Sequence, residues 1–379
     1  MTLSSYSMAE IAPLVRRPVR VEPEQLYREI GVRSFGKGIF HKPPCTSLEI
    51  GDKKVFAVEP GDLLFNIVFA WEGAVAVAAE RERGMIGSHR FLTCVPEPNR
   101  ALARYLYWYF VHERGLRQLQ LASPGGAGRN RTLGIDKLAA IIVDLPTIAE
   151  QRKVAERLDG AVAKMAALQH TRDTTQTEIT AGLQAAFQKV VGGAPKMHMS
   201  DVAPLVRRPV AVDPDGIYPE LGVRSFGKGT FHKPSLSGLE VGNKRLFEIH
   251  SGDLVFNIVF AWEGAVAVAS ADDHGRVGSH RFLTCVPDPL HATSDFLRFY
   301  FLTPEGIQQL GIASPGGAGR NRTLGLKALE GVRVPVPSLD AQIWFDSLQR
   351  KAADIFVAQS DVAAELDHLM PALLDQAFG

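Results

Sequence analysis

One sequence unit occurs twice in this 379-residue chain. Residues 12–134 align with residues 203–325 at a constant offset of 191 without a gap, and 78 of the 123 aligned positions are identical. The string ASPGGAGRNRTLG ends both copies unchanged, at 122–134 and at 313–325. So long a period is typical of a duplicated domain rather than of a solenoid of short repeats. The chain is therefore expected to fold as two similar domains.

The identity between the copies is concentrated in blocks, among them GVRSFGKG, FNIVFAWEGAVAVA and GSHRFLTCVP. Apolar blocks such as FNIV and AVAVA are what buried strands need. The polar blocks RSFGKG and GGAGRNRT contain too much Gly, Arg and Lys for a protein interior. Their retention in both copies indicates a surface task that the copies share.

A helical periodicity follows each copy. Residues 148–191 contain no proline and place Ala155, Leu158, Val162 and Met165 at 3,4 spacing, which predicts a long amphipathic helix. Residues 340 to about 378 predict a second helix, which Pro371 is expected to kink or end. Its predicted apolar stripe consists of Phe345, Leu348, Ala352, Ile355, Val362, Leu366, Leu369 and Leu373.

The predicted fold class is α+β, with two mostly β globular domains separated by two long antiparallel helices in a pseudo-two-fold arrangement. Helices of roughly 40 residues reach about 60 Å, so they are expected to pair as a coiled coil. In the first copy DKKVFAV, DLLFNIVFA, GAVAVAAE and HRFLTCVP are predicted strands and ARYLYWYFVHERGLRQLQL a helix. The predicted divisions are residues 1–147 and 192–338 for the globular domains, and residues 148–191 and 339–379 for the helices.

Composition limits the functional classes. With 46% hydrophobic and 22% charged residues, the chain has the make-up of an ordinary globular protein. Its longest apolar stretch is interrupted by polar residues, and no secretory signal opens it, so no membrane partner is expected. The three cysteines, Cys45, Cys94 and Cys285, lack metal-ligand spacing, which favours a reduced, cytoplasmic protein. The net charge of +1 neither favours nor excludes nucleic acid.

Catalytic and cofactor motifs are missing from the sequence. GGAGRNRTLG follows a predicted helix and opens into Arg-Asn-Arg, whereas a dinucleotide loop follows a strand and opens a helix. His89 and His280 have no Ser, Cys or Asp at a spacing that completes a triad. Asp62 and Asp253 are predicted turn residues before a strand. We expect no catalytic residue, no metal and no cofactor.

The copies share a basic set instead. Arg and Lys bind phosphate, Arg forks onto guanine and Asn pairs with adenine, so an Arg-Asn-Arg tip on a glycine loop suits a duplex groove. We predict DNA contacts by Arg33, Lys37, His41, Lys42, His89, Arg90, Arg129, Asn130 and Arg131 of the first copy, and by Arg224, Lys228, His232, Lys233, His280, Arg281, Arg320, Asn321 and Arg322 of the second.

Two globular repeats, each followed by a long helix, resemble the specificity subunits of type I restriction-modification systems over essentially the whole chain. The entry to the first helix, VDLPTIAEQRKVAERLD at 143–159, matches that family at Leu145, Pro146, Glu150 and Gln151. The second entry, VPVPSLDAQIWFDSLQR at 334–350, keeps Pro337 and Gln342 but has alanine at 341, where the family has glutamate.

The resemblance implies two target recognition domains, each reading half of a bipartite double-stranded DNA site in the major groove. It also implies helices that dock two DNA adenine methyltransferase (modification) subunits, and further restriction subunits that carry ATP-dependent translocation and cleavage. This chain would then be a non-catalytic subunit. Because the two copies agree at 78 of 123 positions, the half-sites are expected to be alike and to form a near-palindromic inverted repeat with a spacer.

Three alternatives stay open at this point. The chain would equally suit a fused restriction-methylation enzyme or a related phage defence system as its specificity subunit. A different class is a non-catalytic scaffold whose repeated loops hold protein partners. An enzyme in which His89 and His280 serve a nuclease or a deaminase is the third.

Overall fold

The computed structural model describes residues 3–126, 131–317 and 322–379. The chain divides into two compact units, of which the first comprises Met1–Arg172 together with Gln359–Gly379 and the second comprises Asp173–Ala358. Each unit therefore combines one sequence repeat with a part of both long helices.

The first repeat and the helix after it contain short strands and helices in alternation. In chain order they are β1 (Ser4–Ser7), α1 (Met8–Ile11), β2 (Leu26–Tyr27), β3 (Ile30–Val32), β4 (Ile39–His41), β5 (Cys45–Thr46), α2 (Ser47–Ile50), β6 (Val55–Ala57), β7 (Leu63–Asn66), β8 (Val75–Val77), β9 (Ile86–Ser88), β10 (Phe91–Cys94), α3 (Ala103–Val111), α4 (Glu113–Ala122), α5 (Ile135–Ala139), β11 (Ile142–Leu145) and α6 (Ile148–Val191).

The second repeat has the same order of elements, with one further short strand near its start. They are β12 (Lys196–His198), α7 (Met199–Val202), β13 (Leu205–Val206), β14 (Ile217–Tyr218), β15 (Leu221–Val223), β16 (Thr230–His232), β17 (Leu236–Ser237), α8 (Gly238–Val241), β18 (Leu246–Ile249), β19 (Leu254–Asn257), β20 (Val266–Val268), β21 (Arg276–Ser279), β22 (Phe282–Cys285), α9 (Ser294–Leu302), α10 (Pro304–Ile312), α11 (Leu326–Glu330), β23 (Arg333–Pro335) and α12 (Leu339–Phe378).

An antiparallel sheet with β7 at its centre forms the middle of the first repeat, in the order β10-β7-β8. Leu63 and Phe65 of β7 pack on one side with α3, whereas Leu64 packs on the other side with Ile30 and Val32. Successive side chains of a strand point to opposite faces, so a strand covered on both faces needs an unbroken apolar run. Residues 63–65 supply that run, and of these only Phe65 belongs to FNIV. The predicted strand over DLLFNIVFA is confirmed at its start and is wrong from Ile67 onward, where the chain has turned out of the sheet. The second repeat is built in the same way around β19.

The predicted single helix over 103–121 is wrong, because the chain forms two helices, α3 and α4, that meet at His112. His112 has extended backbone (φ −68°, ψ 150°), and its side chain accepts a hydrogen bond from the Arg114 amide at 3.3 Å as the N-cap of α4. In the second repeat Thr303 caps α10 in the same place, and Pro304 follows it at the first helical position. Pro304 is the sequence signal for this break, since proline favours the first turn of a helix.

The two predicted long helices are confirmed as α6, with 44 residues, and α12, with 40 residues. In the first unit the start of α6 packs with the end of α12, where Arg157 donates a 2.6 Å hydrogen bond to Gln376. In the second unit the end of α6 packs with the start of α12, where the rings of Phe187 and Phe345 lie 5.4 Å apart. The helix segments are therefore antiparallel within each unit. Helix α12 continues through Pro371 to Phe378.

The predicted apolar stripe of α12 is wrong at three positions. Ile355, Val362 and Leu369 are 43%, 53% and 40% exposed. The residues that follow each of them by one position, including Phe356 and Met370, are more buried. The packed face of α12 includes polar side chains such as buried Gln349. A prediction from large apolar residues alone therefore assigns the packed face to the wrong side of the helix at these positions.

Candidate nucleic-acid interface

The segment FNIVFAWEG, residues 65–73, connects β7 to β8 and is called the hub segment here. The Asn66 side chain accepts a 3.1 Å hydrogen bond from the Val68 amide and turns the chain out of the strand. The Trp71 indole nitrogen then donates to the Val68 carbonyl at 2.9 Å. Gly73 ends the turn in the left-handed region (φ 76°), which glycine adopts without a steric penalty. These contacts hold the hub segment in one backbone conformation.

The first basic segment at the hub is the β3–β4 loop, residues 33–38. The Phe35 amide donates to the Glu72 carbonyl at 2.8 Å, and the Gly36 amide donates to the Gly73 carbonyl at 3.0 Å. The Ser34 hydroxyl donates to the Glu72 carboxylate at 2.8 Å. Three hydrogen bonds therefore fix this loop, with its Arg33 and Lys37, against the hub segment.

Two further basic segments meet the same hub at Ile67. The Ile67 amide donates to the Arg90 carbonyl at 2.8 Å, which places the turn at residues 89–90 beside the hub. The Ile67 carbonyl accepts from the Leu133 amide at 2.9 Å, which brings in the chain that returns from the glycine-rich string. Segments that are far apart in sequence, near residues 35, 90 and 132, thus converge on nine residues.

The second repeat reproduces this convergence on its own hub segment, residues 256–264. The corresponding contacts are Phe226 N to Glu263 O at 2.8 Å, Gly227 N to Gly264 O at 2.9 Å, Ile258 N to Arg281 O at 2.9 Å and Leu324 N to Ile258 O at 2.8 Å. Each agrees with its first-repeat counterpart to 0.1 Å, so the two interfaces have the same backbone scaffold.

Several predicted DNA-contacting side chains are exposed at these converging segments. Arg33 stacks on Phe40, with 4.8 Å between the guanidinium and the ring centroid, and the Lys37 ammonium lies 6.0 Å from the Phe35 ring. In the described part of the chain, the predicted residues of the converging segments that are exposed and form no ion pair are Arg33, Lys37, His89, Arg90, Arg224, Lys228, His280 and Arg281. The arginine and lysine side chains among them have no carboxylate partner and can meet phosphate.

Four other predicted residues lie outside this group. They are His41 and Lys42 at the end of β4, and His232 and Lys233 at the end of its counterpart β16. His41 lies opposite Ile30 in the β3–β4 ladder, away from the loop at residues 33–38. Its imidazole is 2.7 Å from Glu82, and Lys42 is 2.7 Å from Glu29. In the second repeat His232 pairs with Asp273 at 2.9 Å and Lys233 with Glu220 at 3.5 Å. No contact described here supports a DNA role for these four residues, which stays a prediction.

The carboxylates that hold those histidines are buried. Burial raises the pKa of Glu82, but hydrogen bonds from His41, the Ala79 amide and Arg81 outweigh it, and the pKa lies below its ordinary value. The balance is the same at Asp273, where hydrogen bonds from the Ser270 amide and from His232 overcome burial and lower the pKa. These histidine–carboxylate contacts tie β4 and β16 to the rest of their repeats.

Arg131 is engaged within its own loop. Its guanidinium lies 5.0 Å from the Trp71 ring and donates to the backbone carbonyls of Gln120, at 2.9 Å, and Ser123, at 3.2 Å. Arg322 repeats these contacts, with Trp262 at 4.9 Å. The predicted contacts at Arg129, Asn130, Arg320 and Asn321 lie outside the described residues.

Two aromatic pairs at the interface escaped the sequence-based prediction. Trp71 and Trp262 hold the arginines of the glycine-rich strings, while Phe35 and Phe226 project from the β3–β4 loop and its counterpart with 71% and 72% exposure. The signal was present in the sequence, because these four residues belong to blocks that are identical in the two copies.

The turn residue Asp62 also has a structural partner that the sequence did not reveal. Arg17 forks onto its carboxylate at 2.7 and 3.0 Å, and the carboxylate also accepts from the Glu59 amide, as expected for a turn before a strand. Asp253 and Arg208 form the same pair. The retained block APLVRRPV therefore contains a structural arginine in each copy.

The helix-entry motif consists of structural residues. The fully buried Gln151 accepts a 2.9 Å hydrogen bond from the Leu102 amide and donates to the carbonyls of Arg100 and Pro146. Glu150 accepts from the amide and the hydroxyl of Thr147, a capping box at the start of α6.

The second entry keeps one of these two features. Gln342 repeats the contacts of Gln151. Alanine at 341 has no carboxylate for a cap, so α12 begins without the capping box of α6.

Among the described residues, no cluster of His, Cys, Asp or Glu has the arrangement of a metal site. Within the same ranges, no helix is both long and apolar enough to cross a bilayer.

Known proteins resemble this chain in fold but not in sequence. No family model and no curated protein matches the chain. Solved structures do match it, first the HsdS subunit from Thermoanaerobacter tengcongensis, with a TM-score of 0.61 and 17% identity over 99% of this chain and 96% of that one. This chain has the fold of a type I specificity subunit.

Two further structures share the specificity-subunit fold. One, described as bearing on complex assembly and conformational transition of the type I R-M system, has a TM-score of 0.67 at 17% identity and covers 99% of this chain and 97% of that one. The type I restriction-modification S subunit from M. genitalium has a TM-score of 0.51 at 12% identity and covers 100% of this chain and 96% of that one. At such identities the likeness lies in the fold, which runs through both repeats and both long helices.

Proposed function

We propose that this chain is the non-catalytic DNA-recognition subunit of a type I restriction-modification system. The observation that carries the proposal is the convergence of three basic segments on one hub segment, built with the same hydrogen bonds in both repeats. Exposed Arg and Lys side chains on a fixed backbone supply phosphate contacts and base-edge contacts in register. The specificity-subunit fold over 99% of the chain supports the same function.

The proposed DNA site is bipartite, with two alike halves. Its support is chemical, because every exposed cation at the first hub has an identical residue at the second, on loops held by the same backbone contacts. Two equal surfaces select equal base sequences. The inverted order of the halves rests on the sequence-based expectation of an antiparallel, two-fold helix pair.

The proposed partners are DNA adenine methyltransferase subunits, two in number, and restriction subunits that supply ATP-driven cleavage. Catalysis would then reside in these partners, and this chain would bring them to the site. Exposed apolar side chains at the start of α12, Ile343 and Trp344 at 54% each, are compatible with a protein partner there.

Methylome sequencing of cells that carry this chain with its methyltransferase tests the proposal. The expected result is one modified motif, made of two alike half-sites in inverted order around an unspecified spacer. Two unrelated half-sites would refute the near-palindrome while leaving DNA recognition intact.

Binding measured against salt tests DNA recognition itself. Each phosphate contact contributes about −0.9 to the slope of log affinity against log salt, so affinity for a duplex should fall steeply. A protein scaffold would show no such duplex binding, and its affinity for a protein partner would be retained.

A further inference from the structure

Phe35 and Phe226 combine two features that rarely occur together in one residue. Both are exposed, at 71% and 72%, and both have a left-handed backbone, with φ of 60° and 61°. A bulky side chain in that region is strained, because its Cβ crowds the carbonyl oxygen. Strain of this kind persists where the surroundings enforce it, and it is concentrated at functional sites.

The strain is particular to this position. Among the described residues, Glu24 is the other non-glycine residue with positive φ, and its counterpart Asp215 does not share that conformation. Phe35 and Phe226 share it to within 1°. The two copies have diverged at 45 of 123 positions and have kept this strained phenylalanine.

The surroundings of the loop hold the ring outward. On its inner side the loop lies against α3, where the Tyr107 hydroxyl donates to the Gly36 carbonyl at 2.7 Å. A Cβ on Gly36 would lie 2.9 Å from a Val111 methyl, and a Cβ on Gly227 would lie 2.6 Å from a Leu302 methyl. With the loop pressed on the helix and Phe35 N bonded to the hub, the remaining direction for the ring is toward solvent.

Charge indicates what meets this ring. Arg33 and Lys37 flank Phe35, and Arg90 belongs to the turn held beside the same hub. An apolar protein partner would cover the ring but would leave the neighbouring cations without a counter-charge. Nucleic acid offers phosphates for the cations and flat bases on which the ring can stack. Proteins that kink DNA place apolar side chains between base pairs in this manner.

We propose that Phe35 and Phe226 are wedges that stack on bases of double-stranded DNA, one in each half-site, and that the flanking cations hold the neighbouring phosphates. This proposal rests on the DNA-recognition function above. It adds that the bound duplex is unstacked at one step per half-site, so part of the specificity comes from how easily that step opens.

The test uses the full chain in complex with its methyltransferase and a duplex that contains the site found by methylome sequencing, with 2-aminopurine at successive positions. The fluorescence of 2-aminopurine rises when it loses its stacking neighbours. The methyltransferase extrudes its own target adenine, so that position and its two neighbours are left out of the scan. At the remaining positions the wild-type complex should give one bright position per half-site. Phe35→Ala should abolish one of them, Phe226→Ala the other, and each should weaken binding by about 5- to 150-fold, as expected for one stacked base.

Two controls separate a wedge from a damaged fold. Phe35→Gly accepts the positive φ, so its melting temperature should equal or exceed that of the wild type while its bright position is lost. Leu48→Ala removes an apolar side chain that is 92% exposed and also present in both copies, and it should change neither fluorescence nor affinity.

The possible outcomes test the wedge and the proposed DNA-recognition function separately. A complex that binds its site tightly with no bright position would overturn the wedge and leave DNA recognition standing. If Phe35→Ala left DNA binding intact but released the methyltransferase, the ring would face protein and the wedge would be wrong. A wild-type chain that binds no duplex would overturn the proposed function, and the wedge with it.

Discussion

The guanidinium of Arg131 lies 5.0 Å from the ring of Trp71, and its nitrogens donate to the backbone carbonyls of Gln120 and Ser123. One arginine thus ties the end of α4 and the hub segment to the chain that returns from the glycine-rich string. The arrangement at Arg322 and Trp262 is the same. We infer that these arginines position the loop rather than read DNA.

Replacing Trp71 with alanine tests this positioning role. The cation–π contact alone is worth about 0.5–1 kcal/mol, and its loss should loosen the returning chain. Specific DNA binding should weaken at one half-site, in parallel with Arg131→Ala. Footprinting of both half-sites provides the measurement, and Trp262→Ala should affect the opposite half. Equal protection of both halves in Trp71→Ala would contradict the role.

The helix entries allow a comparison of two neighbouring residues. Gln151→Ala leaves a buried amide and two carbonyls unpaired and should cost about 3 kcal/mol, while Glu150→Ala removes a cap and should cost about 1 kcal/mol. Urea unfolding of each variant measures both. Gln342→Ala is the matched change in the second unit, and an Ala341→Glu variant should gain stability there. If both alanine variants lost the same free energy of unfolding, the buried hydrogen bonds of Gln151 would contribute no more than the exposed cap of Glu150.

We expect the contacts of the Asp273 carboxylate with His232 and with the Ser270 amide to weaken in acid. Its pKa lies below the ordinary 3.8 in the folded state, so its contribution to stability is present above that value and is lost as the pH falls through the lower folded pKa. Asp273→Asn should therefore be less stable than the wild type at neutral pH, and the difference should shrink toward pH 3. Thermal melts across that range provide the measurement, with the exposed neighbour variant Asp272→Asn as the control. A difference that grew on acidification would have the wrong sign.

Thiol reactivity should distinguish the three cysteines. Burial raises the pKa of Cys94 and of Cys285 to about 12, so neither thiolate is populated near pH 8. Cys45 is partly exposed. A thiol reagent at pH 8 should modify one residue in the native chain and three in urea. Fast modification of Cys94 in the native state would contradict its burial.

The repeats and the long helices could be predicted from the sequence because they follow from identity at a fixed offset and from periodicity. The break at His112 leaves no such signal in the first copy, which has no proline there, and it could have been inferred only from Pro304 at the corresponding position of the second copy. The packed face of α12 was misplaced because Gln349 belongs to it.

The candidate site shows the same division. Basic blocks could be recognised by composition, but their convergence at Ile67 depends on backbone hydrogen bonds to Arg90 and to Leu133, which lie 23 and 66 residues further along the chain. Composition also did not separate the paired cations, such as Lys42, from the unpaired Lys37. That distinction requires the positions of Glu29 and Glu82, which only the fold determines.

The end of α12 completes the core of the first unit. Phe378 is 6% exposed and packs its ring 5.2 Å from that of Tyr105, while Asp375 lies 3.0 Å from His112. On the ribosome, the first repeat is made early but must wait for these residues, whereas the second unit ends at Ala358. The second unit, although made later, can therefore finish folding before the first. Until the end of α12 is made, the core of the first unit stays exposed, and this is the part of the chain that a chaperone would need to protect.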